Sequence, residues 1–243
     1  MLGGLINNDL MYKDSKIEVI TSFYVPKDNN RKQELLTCLN NNLKQPFINK
    51  IHLFLDNEEC IEELRKKFTD NENRDKIQVC SVGKQPSYSD LFMYCNKLPN
   101  KICMITNSDV WLKTIIRPGI LGYLKSNDKK CAFALTRHEH DLTSPLIDDY
   151  DGSHDSFIFI APINRKILKH INHKQNIWGS ENVLMYELKR CDYKLYNPCK
   201  QIVIVHEHKS EIRDENRKRM NTGDYDGDGN YLVRHVKVYP KHL

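Results

Sequence analysis

Runs of β-branched, aromatic and apolar residues recur through the first half of the chain, separated by stretches whose apolar positions repeat at helical spacing. Residues 17–24 (IEVITSFY), 51–55, 77–82 and 102–105 read as strands. Residues 31–43 read as a helix with Leu35, Leu36 and Leu39 on one face, residues 58–68 as a second and residues 89–97 as a third. Strict strand–helix alternation of this kind predicts a mostly parallel sheet flanked by helices. The second half changes character. Strands are expected at 131–135, 157–161 and 201–205, with helices at 165–171 and 181–190 and longer connections between them. The pattern predicts a mixed α/β sheet in one domain with two lobes, without repeats or a linker.

Composition narrows the class. The 243 residues suffice for a substantial core, and 37 basic against 32 acidic residues give a formal charge of +5 spread along the chain. That balance permits anionic ligands without calling for nucleic acid, and no nucleic-acid partner is expected. The most basic window, 209–219, interleaves Glu211, Asp214 and Glu215 and reads as a solvated helical face. Eight cysteines occur without a C-x-x-C pair, and Cys80, Cys103 and Cys131 sit in apolar runs as core thiols. Residues 1–16 lack the pattern of a leader, and no apolar run reaches the ~20 residues that cross a bilayer. A reducing, cytoplasmic setting is expected (host cytoplasm or virion if the source is viral), without a transmembrane segment.

The most informative stretch is 101–112 (KICMITNSDVWL). An apolar strand stops at Asn107-Ser108-Asp109, and ligands of α/β sheets sit beyond the carboxyl ends of strands. Alternation along an extended chain would direct Asn107 and Asp109 the same way, offering an amide and a carboxylate to a divalent cation and its phosphates. The same triplet is also good turn chemistry. Four further clusters fall where loops should converge. In Trp178-Gly179-Ser180-Glu181-Asn182, Ser180 is a natural N-cap and Glu181 suits the helix dipole. Alternatively, Trp178 could stack on a sugar while Glu181 accepts a proton. His206 and His208 close an apolar strand, ~6–7 Å apart if it stays extended; one could ligate a metal, and both could do so only with local bending. Arg137 lies beyond a strand and suits bidentate contact with phosphate, whereas the adjacent His138-Glu139-His140 lacks the spacing of a zinc hydrolase. Asp155, before another strand, could bind a sugar hydroxyl, serve as base or cap its loop. Asp224, Asp226 and Asp228 imitate an EF-hand loop, but His235 stands where the bidentate glutamate belongs.

Taken in order over residues 17–210, these clusters resemble nucleotide-sugar glycosyltransferases of the GT-A type, closest to small soluble ones of bacteria and large DNA viruses. The resemblance implies a GT-A-like fold: a mixed, mostly parallel central sheet flanked by helices. About 17–110 would form a Rossmann-like nucleotide-binding half, about 111–210 an acceptor and catalytic half, and 211–243 a C-terminal segment. It places the nucleobase at Thr21, Ser22, Phe23 and Tyr24, with Asp56, Tyr88 and Asp90 bordering the nucleotide. The family's D-x-D motif maps to Asn107-Ser108-Asp109, giving Asp109 the metal and Asn107 a ribose contact, with one acid replaced. Its W-G-G-E-D-type motif maps to residues 178–182, again with an acid replaced. Glu181 then becomes the expected base, with Asp155 as substitute, and His206, or less closely His208, completes the metal site.

The implied reaction moves a sugar from a nucleoside-diphosphate donor, expected to be a UDP-sugar, to a hydroxyl of a glycan, protein or small-molecule acceptor, assisted by Mn²⁺ or Mg²⁺. Two alternatives remain open on sequence: a metal-dependent hydrolase or phosphatase, and a catalytically degenerate sugar-nucleotide-binding domain.

Overall fold

A computed structural model describes residues 16–125, 130–140, 154–175, 177–210, 219–221, 223 and 234–243. The expectations for the first fifteen residues, for Asp141, for Asp151 to Ser153, for the basic window between 211 and 218 and for the EF-hand-like aspartates lie outside these residues.

Strand β1 (Ile17–Phe23) is central, paired in parallel with β2 (Ile48–Leu55) on one side and β4 (Ile102–Thr106) on the other. Strand β3 (Ile77–Val82) forms the outer edge beside β2. Beyond β4 come β8 (Ser156–Ile160), β6 (Cys131–Leu135) and β9 (Lys194–Tyr196), completing a seven-stranded sheet. β8 runs antiparallel to both β4 and β6, while β6 and β9 are parallel. The sheet is therefore mixed and mostly parallel, as the alternating pattern predicts.

Both faces are covered, which is why β4, β6 and β8 are buried throughout and almost wholly apolar. Helices α1 (Asn29–Lys44), α2 (Glu59–Phe68) and α4 (Pro118–Lys125) cover one face, packing Leu35, Leu39, Leu64 and Leu121 against Val19, Leu53, Met104 and Phe133. On the other face, α3 (Tyr88–Cys95) and α5 (Ser180–Arg190) pack Phe92, Leu184 and Leu188 against Ile20, Ile105, Phe157 and Phe159. Each fully buried Leu, Ile or Phe side chain contributes about 1.5–3 kcal/mol. All eight cysteines are free thiols, and all but Cys80 are buried as core residues.

A second, three-stranded sheet stands at the carboxyl end of β4. Strand β10 (Ile204–His206) lies between β5 (Val110–Leu112), antiparallel, and β7 (His138–Glu139), parallel. Asn42 of α1 braces it, its Nδ2 donating to the Val110 carbonyl at 3.1 Å and its Oδ1 accepting from the Leu112 amide at 2.9 Å.

Three local expectations are corrected. The region 165–171 holds only a turn and a short 3₁₀ segment, Leu168–His170, because Asn164 Oδ1 accepts from the Lys166 amide at 3.0 Å and diverts the backbone from a helix. The strand expected from 201 begins at Ile204, since the Pro198 carbonyl accepts from the Gln201 and Ile202 amides at 2.9 and 2.8 Å in a turn. The N-cap of α5 is Gly179 at φ 86°, and Ser180 Oγ instead donates to the Gln175 carbonyl at 3.3 Å. A Cβ on Gly179 would lie 2.5 Å from the Met220 carbonyl oxygen, so glycine is needed there for both space and backbone conformation.

Candidate functional site

The carboxyl ends of β1 and β4 are tied together before the polar residues begin. Thr21 Oγ1 and Gln175 Nε2 donate to the Thr106 carbonyl at 2.9 and 3.2 Å, and the Thr106 hydroxyl meets Ser156 Oγ at 2.7 Å. Asn107, Ser108 and Asp109 then make a turn closed by the Val110 amide on the Asn107 carbonyl at 3.3 Å. That turn feeds β5, and the small sheet gathers the rest of the site. His206 stands opposite Val110 and Glu139 in register, and the Glu207 amide donates to the Asp109 carbonyl at 2.8 Å.

The result is a chain of alternating charges along one rim. Asp155 accepts from Asn107 Nδ2 at 3.1 Å on one oxygen and from Arg137 Nη1 at 3.0 Å on the other. Arg137 Nε donates to Glu139 Oε1 at 2.9 Å. His206 bridges Glu139 Oε2 and Asp109 Oδ2, 3.2 Å from each. Arg31, arriving from the first turn of α1, places Nη2 at 2.5 Å from Asp109 Oδ2 and Nη1 at 2.9 Å from Glu34 Oε2.

Titration follows from this order. Burial opposes charge on His206, but Asp109 and Glu139 on either side lift its pKa to about 9. The bond from His206 is the main reason Glu139 falls to about 2. Asp109 is buried, which would raise it, yet His206, His208 and Arg31 hold it well below the usual carboxylate range. Glu181 behaves oppositely. Burial, reinforced by the charge of Asp155, pushes it up to about 8.

Asp109, His206 and His208 each offer a ligand atom, and these atoms lie within 4.8 Å of one another. The two imidazoles stack, with ring centroids 5.2 Å apart, where the chain leaves β10 after His206. One carboxylate and two imidazoles suit a divalent first-row cation. Two buried atoms nearby, Asn107 Oδ1 and His208 Nε2, have no hydrogen-bond partner among the described residues. Buried polar atoms are seldom left unpaired, and these fit a place that receives a polar ligand.

No protein-family model and no curated protein sequence matches this chain. Solved structures do. A mannosyltransferase from Pyrobaculum calidifontis, in complex with GDP-Man and Mn²⁺, superposes with a TM-score of 0.51 at 10% identity, covering 81% of this chain and 58% of that one. S. aureus TarS 1-349, in complex with UDP-GlcNAc, gives 0.52 at 10% identity, covering 82% and 62%. GalNAc-T7 with UDP, GalNAc and Mn²⁺ gives 0.51 at 12% identity, covering 84% and 45%. The chain has a GT-A-type fold. It spans about three fifths of the mannosyltransferase and TarS structures, and identities this low carry the likeness in fold alone.

Within this GT-A-type fold the residues singled out by sequence divide into two groups. Asn107, Asp109, Arg137, Asp155, His206 and His208 come together on the rim. Glu181 lies near enough to feel the charges of Asp155 and Arg137. Thr21 joins through Thr106, with Ser22 and Phe23 following it at the end of β1. Asp56 follows β2, its amide donating to the Phe23 carbonyl at 3.1 Å. Tyr88 is a core residue packed edge-on against Phe157 and His173, and Asp90 closes a capping box with Ser87. Trp178 is 45% exposed, with the Arg219 guanidinium carbon 5.0 Å from its ring centre. His138 and His140 stay outside the Asp109 cluster.

Three participants were missed: Arg31, Glu34 and Glu139. Arg31 carried a signal, because it falls in the helical register of Leu35, Cys38 and Asn42, all on the buried face of α1. A charged residue in a core stripe needs a buried partner.

Proposed function

We propose that the protein is a metal-assisted glycosyltransferase that moves a sugar from a nucleoside-diphosphate sugar, expected to be a UDP-sugar, to a hydroxyl acceptor. The observation that carries this reading is the Asp109–His206–His208 cluster at the carboxyl end of β4 in a GT-A-type fold. Three similar structures hold sugar nucleotides or their parts, two of them with Mn²⁺, which supports the choice of donor class and cation.

Asp109, His206 and His208 would hold the cation; when bound, it supplies positive charge against the diphosphate as that group leaves. Arg137, fixed between Asp155 and Glu139, adds positive charge on the same rim. Asn107 is the candidate ribose contact, its buried Oδ1 being free to accept. Trp178, Thr21, Ser22, Phe23 and Asp56 are the remaining candidates for donor contacts. Tyr88 and Asp90, committed to the core and to a helix cap, support the site from behind.

Glu181 is the base in this reading. A carboxyl group with a pKa near 8 is mostly protonated at neutral pH, but once ionised it is a stronger base toward a hydroxyl than an ordinary glutamate is. Asp155 has both oxygens engaged by Asn107 and Arg137, which suits positioning. A base of this kind makes the reaction inverting.

The test is nucleoside diphosphate release from UDP- and GDP-sugars, with Mn²⁺ and with EDTA, for wild type and Asp109→Ala, beside thermal shifts with the same ligands. A ligand at a hundred times its Kd adds about 2.7 kcal/mol, roughly 5–10 °C for a chain of this size. Metal-dependent release lost in Asp109→Ala is the expected result. No shift with any nucleotide would sink the proposal.

A further inference from the structure

We propose that Arg31 is a built-in competitor of the divalent cation: its guanidinium occupies the ligand atoms of Asp109 and His208, and the site loads metal as the side chain swings away toward another anion. The cation site is the one assigned above, so this rests on that assignment, though not on the identity of the donor.

The contacts are specific. Arg31 Nη2 lies 2.5 Å from Asp109 Oδ2, the same oxygen that His206 Nε2 approaches at 3.2 Å and His208 Nδ1 at 3.8 Å. Arg31 Nη1 lies 2.8 Å from His208 Nδ1. A guanidinium can only donate, so Nδ1 is the acceptor and its lone pair is taken; the ring proton sits on Nε2, the atom left without a partner. One planar fork thus spans two of the three candidate metal ligands. A cation bound to Asp109 Oδ2 and His208 Nδ1 would need the space and the electron pairs that the fork holds.

The helix supplies a second seat. Glu34, one turn along α1, accepts from Arg31 Nη1 at 2.9 Å, and its own carboxylate is fixed by Ser210, from the amide at 2.6 Å and the hydroxyl at 3.1 Å. Leaving Asp109 therefore does not strand the guanidinium without a counter-charge. Arg31 also carries a planar fork suited to phosphate. A diphosphate entering beside the cluster would draw Arg31 off Asp109, coupling arrival of the anion to loading of the cation.

Mn²⁺ affinity, read by the electron paramagnetic resonance of free Mn²⁺ without any donor, tests the proposal on wild type, Arg31→Ala, Arg31→Lys and Glu34→Gln, with near-ultraviolet circular dichroism confirming the fold. Arg31→Ala should bind Mn²⁺ at least tenfold more tightly. Arg31→Lys keeps the charge but cannot bridge both ligands, and should move most of the way toward Arg31→Ala. Glu34→Gln, which removes the second seat, should weaken binding. Inorganic pyrophosphate should tighten Mn²⁺ binding more in wild type than in Arg31→Ala. An unchanged or weaker affinity in Arg31→Ala overturns the proposal, and so does Arg31→Lys at the wild-type value, because only the long-range charge would then matter. If these metal affinities shift as expected while no nucleotide sugar is turned over, the competition stands and the glycosyltransferase reading fails.

Discussion

Two buried histidine–carboxylate networks sit at opposite ends of the strands, and they differ in completeness rather than in strength. At the amino end of β1, Glu18 accepts from Asn49 Nδ2 at 2.7 Å and meets His52 Nε2 at 2.9 Å, while His52 Nδ1 meets the Tyr94 hydroxyl at 2.9 Å. Beyond the carboxyl end of β4, Asp109 and Glu139 enclose His206. Both histidines are buried, which favours the neutral ring, and both are nonetheless raised to about 9, His52 by bonds that include Glu18 and His206 by Asp109 and Glu139. A perturbed titration therefore does not separate a structural network from a candidate site. Unmet valence does. Both oxygens of Glu18 and both ring nitrogens of His52 have partners, whereas His208 Nε2 and Asn107 Oδ1 have none among the described residues.

The comparison is sharpest where each network is cut. Glu18→Ala leaves a buried imidazolium without its counter-charge, and breaking such a pair costs about 3–5 kcal/mol. Thermal or urea unfolding should show that loss, with Mn²⁺ affinity unchanged within about twofold. A larger change in metal binding would show that the two ends are coupled. Asp109→Asn should do the converse. Loss of the cluster's carboxylate should lower metal affinity by at least about 100-fold, more than changes to groups that merely support metal ligands. Its stability should fall less than that of Glu18→Ala, because Arg31 retains Glu34 and His206 retains Glu139.

The smallest effect is a pH dependence. Glu181 binds its proton more tightly in the folded chain, about 8 against an ordinary 4.5. Its contribution is therefore intact below 4.5, and stability falls as pH rises from 4.5 to 8. Glu181→Gln should match wild type near pH 4 and exceed it in melting temperature at pH 9, the gap opening between those limits. If Glu181 is the base, wild-type turnover also rises along a limb near pH 8 that Glu181→Gln lacks. A pH-independent difference in melting temperature would place Glu181 outside the half-buried, charge-coupled environment that raises its pKa.

Much of this was readable from local sequence. The apolar run ending at Ile105 and the polar triplet after it marked the carboxyl end of a central strand, and β3 and β6 appear with the expected bounds. What stayed hidden depended on long-range geometry. Strand spacing alone did not show that His206 and His208 stack and both reach Asp109. Glu139 read as part of a weak His-Glu-His motif until β7 came beside β10 and turned it toward His206. Tyr88 and Asp90 carried donor-type functional groups, but a tyrosine among apolar positions of a helix and an aspartate three residues after a serine also describe a core ring and a capping box. In the structure Tyr88 is a core ring and Asp90 closes a capping box, roles that the resemblance did not indicate.

The three-stranded sheet has a consequence for how the protein is made. Its strands come from residues 110–112, 138–139 and 204–206, so Asp109 must wait for a histidine that follows it by 97 positions. The pairing of β1, β2, β3 and β4 needs nothing beyond Thr106. During synthesis, when amino-terminal parts of a chain emerge and organise first, a nascent chain halted between these points could hold the first four strands while lacking both imidazoles of the cluster. Cation binding would then report that the ribosome has passed β10.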